Sequence, residues 1–245
     1  MNMSTRNSLF LMVGGAIALS AWVYTGGGMG VSAAAEKAVQ LPAPALDTPA
    51  ATQAGRETAV FAGGCFWGVQ GVFQHTQGVL NAVSGYAGGD KSTASYDMIG
   101  SGRTGHAESV QITYDPKQIS YGKLLQIYFS VAHDPTTLNS QGPDRGPQYR
   151  SAIFYQNDSQ KQVAEKYIAQ LDAAKVFDGK IVTQLTALAA PLAFYPAEAY
   201  HQDYATLHPT QPYIARFDLP KIANLKTMLP ALYRDKPVLV SQAGK

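Results

Sequence analysis

A short apolar run that breaks on two glycines sets the frame for the whole chain. Thr58-Ala59-Val60-Phe61-Ala62 stops at Gly63-Gly64, and Phe66, Val69 and Phe73 then recur at helical spacing. Five apolar residues are too few for a helix and suit a buried strand; the glycines mark a sharp turn. The stretch reads as strand, turn and helix, with Cys65 in the helix's first turn. Val79 to Tyr86, ending at Gly88-Gly89, reads as a second strand, and Glu108 to Tyr114 alternates as a third before Asp115-Pro116. Tyr121 to Val131 reads as a helix with Leu124, Leu125 and Tyr128 inward, followed by a polar loop from Ala132 to Tyr149. Ser151 to Tyr155 is a further strand. A helix capped by Ser159 runs to about Ala174, and Thr183 to Leu188 is the last strand. Ala197 to Leu207 and Leu219 to Tyr233 read as helical or irregular covering segments. Strands and helices alternate without a dinucleotide-binding glycine fingerprint, so the expected class is α+β, with helices packed on one sheet.

Cys65 is the single cysteine among 245 residues, so no internal disulfide forms. One reading is an inert buried thiol, since unpaired cysteine is among the most buried residue types. Its neighbourhood favours a nucleophile. A helix start offers unpaired N–H groups and positive potential, which together predict a lowered thiol pKa. Gly63-Gly64 lets backbone approach the sulfur closely. Phe66 and Trp67 cannot both be buried at a helix start on one face, so at least one lines the surface beside the sulfur. Such an apolar wall suits a methyl group.

Gly102-Arg103-Thr104-Gly105-His106-Ala107-Glu108 carries a second signal. Glu108 shares strand parity with Val110 and Ile112 and points to the face they bury, where desolvation keeps an unpaired carboxylate protonated. The alternative is a strand-end glutamate in solvent or paired with Arg103. Tyr86 and Tyr149 supply hydroxyls at a strand end and a loop end; either could equally be a half-buried core tyrosine.

The first 35 residues read as a targeting segment. Arg6 is the only charge before Glu36, an apolar run extends from Leu9 to Tyr24, and Ser32-Ala33-Ala34-Ala35 supplies small residues suited to cleavage. The expectation is an exported, periplasmic protein. The alternative is an uncleaved segment that tethers the chain to the inner membrane, since the glycine-rich continuation is uncharged. Residues 36–55 are rich in Ala and Pro and read as a linker, which leaves 56–245 as the catalytic domain. The net charge of +2 and the lack of any basic run argue against nucleic acid as a partner.

Several segments together resemble the A-type peptide methionine sulfoxide reductases. They are Gly64-Cys65-Phe66-Trp67-Gly68, Ser84-Gly85-Tyr86-Ala87-Gly88-Gly89, Thr104-Gly105-His106-Ala107-Glu108, His133-Asp134-Pro135-Thr136-Thr137-Leu138-Asn139, Gln148-Tyr149-Arg150-Ser151-Ala152-Ile153 and Tyr200-His201-Gln202-Asp203-Tyr204. They occur in family order between roughly Arg56 and Arg234. The resemblance implies a ferredoxin-like two-layer α+β sandwich, a mixed sheet with helices packed on it and long irregular covering segments. It implies an oxidoreductase that repairs oxidative damage by reducing the S epimer of methionine sulfoxide, in oxidised proteins or peptides and free, without cofactor or metal. Carried over, Cys65 is the nucleophile and Glu108 the acid on the sulfoxide oxygen. Tyr86 and Tyr149 hydrogen-bond that oxygen, Phe66 and Trp67 hold the methyl group, and Asp144 matches a polar pocket residue. The chemistry is coherent, because a sulfoxide oxygen leaves only when protonated, and attack yields methionine and a sulfenic acid on the cysteine.

The chain departs from the family in three places. Gln70 stands where Glu is frequent, Ala199 where Asp is common, and Leu229 to Lys245 contains no resolving cysteine. The last departure implies recycling by an external thiol: thioredoxin-like, glutaredoxin-like or of low molecular weight. Three rival readings are weaker. A cysteine hydrolase would pair Cys65 with His106, His133 or His201. An inactive binding module would not need nucleophile, acid and both tyrosines together. His106-Ala107-Glu108 has the H-x-E spacing of zinc deaminases but lacks their paired cysteines.

Overall fold

The structure is a computed structural model that describes residues 36–49, 51–188, 190 and 193–242, together with Met1. Residues 2–35, which fall in the stretch read as a targeting segment, lie outside the described residues. Among the described residues no helix is long and apolar enough to cross a membrane.

The strand–turn–helix unit forms β1 (Glu57–Gly63) and α1 (Phe66–Gln74). β2 (Val79–Ala87) and β3 (Ala107–Tyr114) follow as an antiparallel pair, linked by a segment holding the short α2 (Tyr96–Ile99). α3 (Tyr121–Ile127), capped by Ser120, runs on through a wider π turn to Ala132. The loop after it, read as structureless, contains a small hairpin of β4 (Ser140–Gln141) and β5 (Asp144–Arg145). Then come β6 (Ser151–Tyr155), α4 (Asp158–Ala174) and β7 (Gln184–Ala187). β8 (Phe194–Pro196), α5 (Tyr204–Leu207) and α6 (Leu219–Met228) complete the chain's main elements.

The main sheet runs in the order β7-β6-β1-β3-β2-β8. Its centre, β6-β1-β3-β2, is antiparallel between neighbours, and β1-α1-β2 is a crossover split by β3. That is the ferredoxin-like arrangement. β7 adds parallel to β6 at one edge and β8 antiparallel to β2 at the other, which makes the sheet mixed. Both edge strands are short, and β8 ends on Pro196.

Alternation along the strands sorts two faces. Phe61, Val110, Ile112 and Ile153 point to the helices, where Phe61 meets Phe73, Tyr121 and Tyr128 at ring distances of 5.7, 5.9 and 4.9 Å. Val60, Ala62, Ala107, Ala152 and Phe154 form a smaller cluster on the other face, with Leu188 and Phe194 against it. This second cover also buries Ser109, on the face opposite Val110 and Ile112.

Two local expectations change. The α4 cap is Asn157, whose side chain accepts the Gln160 N–H; Ser159 already lies inside the helix. Residues 36–49, read as linker, form neither helix nor strand, yet they lie along the domain as a strap. Leu41 enters the core at 3% exposure. Its carbonyl accepts from Gln126 Nε2 (2.8 Å), Tyr167 donates to the Pro42 carbonyl (2.7 Å), and the Asp47 carboxylate accepts the Gly122 N–H (2.8 Å). Backbone polar groups thus compensate for the strap's few large side chains.

Candidate active site

Cys65 occupies the N-cap of α1, as the glycine turn predicts. Gly64 has φ of 86°, a conformation that favours glycine, and a Cβ there would meet the side chain of Gln141. The Trp67 N–H points to the Cys65 sulfur. The Phe66 N–H donates to Glu108 Oε2 at 3.0 Å. Thiol and carboxyl therefore share the first turn of one helix. Glu108 is 3% exposed, as its parity predicts, and burial pushes its pKa up to about 8 against the pull of that N–H. It is not paired with Arg103.

One expectation is reversed. Cys65 is 8% exposed, and burial, then Asp218 and Glu108, push its thiol well up. The helix start and the Trp67 N–H pull the other way and lose. The resting site therefore holds a neutral thiol beside a neutral acid.

Phe66 is buried and Trp67 half-buried, so Trp67 is the residue that lines the surface. Trp67 stacks on Tyr204 (4.0 Å between ring centres), and its indole N–H donates to His201 Nδ1 at 3.3 Å. That bond leaves the ring proton of His201 on Nε2, which lies 4.0 Å from Glu198 Oε2. Tyr86 is fully buried against Phe66, and its hydroxyl donates to the same Glu198 oxygen at 2.8 Å. The other Glu198 oxygen accepts the Tyr96 N–H at 3.0 Å. One carboxylate thus ties together the aromatic wall, Tyr86 and α2. Tyr149 is half-buried, and burial above all raises its pKa, with the neighbouring acidic groups adding to it. Next to it, Arg150 clamps the Gly105, His106 and Pro147 carbonyls at 2.9, 3.1 and 2.8 Å. Asp144 accepts from the Tyr213 hydroxyl, and burial raises its own pKa.

A narrow pocket of about 10 Å³, room for little more than one water, opens on Cys65 and is lined by Glu36, Asp144, Tyr213, Phe217 and Lys221 among others. Lys221 is buried and forms an ion pair with Glu36 of the strap at 2.9 Å. Asp218 is fully buried, and neither of its carboxylate oxygens has a hydrogen-bond partner.

All seven residues singled out from sequence fall in this region, around the start of α1. Sequence reasoning missed Glu198, Tyr213, Asp218, Lys221 and Glu36. The Tyr200-to-Tyr204 motif could have pointed to Glu198, two residues before it. No comparable signal marked Glu36, which acts only because the strap docks.

Two of the three histidines a cysteine hydrolase could use are engaged elsewhere, and the third, His201, takes the Trp67 indole N–H on Nδ1. His106 accepts the Gly89 N–H at Nδ1 and bonds the Asp90 carbonyl through Nε2. His133 bonds the Tyr128 carbonyl and Ser151, and burial lowers its pKa to about 3. Among the described residues no cluster of three His, Cys, Asp or Glu side chains is placed to hold a metal ion.

Comparison with known proteins converges on one group. A family model described as peptide methionine sulfoxide reductase matches residues 57–229. Peptide methionine sulfoxide reductase MsrA 2 of Mesorhizobium japonicum is 65% identical over 190 residues, covering 78% of this chain and 96% of its own. Its namesake from Synechocystis is 49% identical over 198 residues, covering 80% and 89%. The solved methionine sulfoxide reductase A of Corynebacterium diphtheriae is 33% identical and superposes with a TM-score of 0.55, covering 74% of this chain and 91% of its own.

Proposed function

The chain belongs to the A-type peptide methionine sulfoxide reductases, and from that premise we propose that it reduces the S epimer of methionine sulfoxide, in proteins and free, by attack of Cys65 with Glu108 as the acid. The observation that carries the reading is the shared helix start: the Phe66 N–H holds a buried, protonated Glu108 directly beside the Cys65 thiol.

The steps follow from that geometry. Phe66 and Trp67 receive the methyl group, and Glu108 gives its proton to the sulfoxide oxygen. The Cys65 sulfur attacks as its own proton passes to the carboxylate that Glu108 has just vacated. The oxygen ends on the cysteine as a sulfenic acid, and methionine leaves. No net proton is taken up, which suits a dry site whose thiol starts neutral. Tyr149 donates to the oxygen as charge develops. Tyr86 does the same once its hydroxyl turns from Glu198. Asp144, with Tyr213, faces the polar part of the substrate. An external thiol then reduces the sulfenic acid, because the tail from Leu229 to Lys245 has no cysteine.

Separated methionine sulfoxide epimers, assayed with dithiothreitol, glutathione and thioredoxin as reductants, test the reading. Methionine from the S epimer, with a trapped sulfenic acid on Cys65 when reductant is withheld, supports it. Activity on the R epimer alone would overturn it. Export to the periplasm belongs to the same proposal, supported by the apolar run from Leu9 and the small residues before Glu36. Fractionation of the native host with N-terminal sequencing of the mature chain distinguishes a cleaved signal from a membrane tether and from a cytoplasmic protein.

A further inference from the structure

We propose that Lys221 forms the reductant half of the active site, so that the recycling thiol reaches the Cys65 sulfur through the Lys221 pocket and takes the place now held by Glu36. The inference rests on the reading of Cys65 as a sulfur that ends each first half-reaction as a sulfenic acid.

Cys65 is shared between two sets of walls. Phe66, Trp67, Glu108 and the tyrosines account for the sulfoxide. The pocket with Glu36, Phe217 and Lys221 also opens on the sulfur; it shares Asp144 and Tyr213 with the substrate side, but the first half-reaction assigns no work to its lysine. Lys221 is 5% exposed, and a buried ammonium is costly unless anions surround it. Two do. Glu36 contacts it at 2.9 Å, and Asp218, three residues earlier at the entry to α6, interacts with its charge. The two anions differ in how they are held. Asp218 is fully buried, packed against Gly68 of α1, with both oxygens unpartnered. Glu36 comes from the strap, which has neither helix nor strand. Glu36 is thus the exchangeable partner, and Asp218 keeps Lys221 charged when it leaves.

An anion of one charge that can reach a sulfur is what the second half-reaction requires. A thiolate held by Lys221 attacks the Cys65 sulfur, forming an S–S bond and breaking the S–O bond. The leaving oxygen takes the proton that the reductant's thiol has given up and departs as water. A second thiol then attacks the mixed disulfide, returns Cys65 as a thiol and leaves an oxidised disulfide. Two thiols supply the two electrons. With Glu36 in place the pocket is closed to a thiol; with Glu36 displaced the Lys221 ammonium is left beside the oxidised sulfur to meet a thiolate.

The test separates the two halves on the full-length protein. One turnover with S-epimer sulfoxide, without reductant, gives the methionine burst and loads the sulfenic acid. Dithiothreitol is then added, and intact mass follows loss of the sulfenic acid. In Lys221→Met the recycling rate should fall at least about tenfold more than the burst rate, the loss of a charge-assisted contact, and Lys221→Arg should recover part of it. In Glu36→Gln the ratio of recycling to burst should rise. Equal slowing of both halves in Lys221→Met, or recycling at the wild-type rate, overturns the proposal. Should Lys221→Met fail to fold, Glu36→Gln decides alone, and an unchanged or lowered ratio overturns it. A wild-type chain that gives no methionine burst overturns the parent reading, and this one with it.

Discussion

The chemistry turns on two groups that are neutral when their ordinary values would charge at least one of them. Glu108 is raised to about 8 by burial, so it keeps its proton at neutral pH and loses it as pH rises through that value. The single-turnover rate of the wild type should therefore fall above about pH 8. In Glu108→Gln the rate should drop by about 10²–10⁴-fold, the usual worth of a general acid, and the alkaline fall should vanish. Rapid-quench measurement of methionine across pH checks both. Glu198 works through other groups, since it holds Tyr86, Tyr96 and, more loosely, His201. Glu198→Ala should lower kcat/KM by about tenfold through misplaced donors, with partial recovery in Glu198→Gln, which still accepts hydrogen bonds. Steady-state kinetics on free S-epimer sulfoxide distinguish the two variants.

At the level of elements, the β1–α1 junction sets the position of the sulfur. Gly64→Ala would place a methyl against Gln141 at a backbone angle that disfavours it. The expected cost is about 1–3 kcal/mol, with loss of activity beyond the loss of fold, and thermal melting beside a turnover assay measures both. Elements with strong periodicity were legible in the sequence: β1, α1, β2, β3 and α4 fall within a residue or two of where alternation and glycines put them. β8, three residues long, and the β4–β5 hairpin were not, because two or three residues carry no readable period. Cys65 and Glu108 could be placed because each sits at a junction or parity that fixes its direction. Lys221 and Asp218 could not, because no pattern in Leu219 to Tyr233 shows which side chains turn inward. The direction of the thiol shift is not legible for a related reason: a helix start is local, whereas the burial that raises the thiol, and the Asp218 carboxylate that adds to it, depend on segments far along the chain.

At the scale of the molecule, the strap makes residues outside the sheet part of the domain's stability. Leu41→Ala should cost about 2–5 kcal/mol if the cavity stays open, with the midpoint of urea unfolding as the measure. Stability should also decline with pH between about 5 and 8. Glu108 and Asp218, raised to about 8 and about 7, bind protons in the folded state that the unfolded chain has released, so folding is favoured below that window and weakened as pH rises through it. Glu108→Gln should flatten part of the slope. The sheet's two margins have a further consequence. A strand that ends a sheet offers unpaired N–H and C=O groups to any extended chain nearby. β7 offers four residues and β8 three, the last a proline without an N–H. A repair enzyme meets damaged, partly unfolded clients by profession; with margins this blunt, it can hold their side chains without becoming the seed on which their backbones stack.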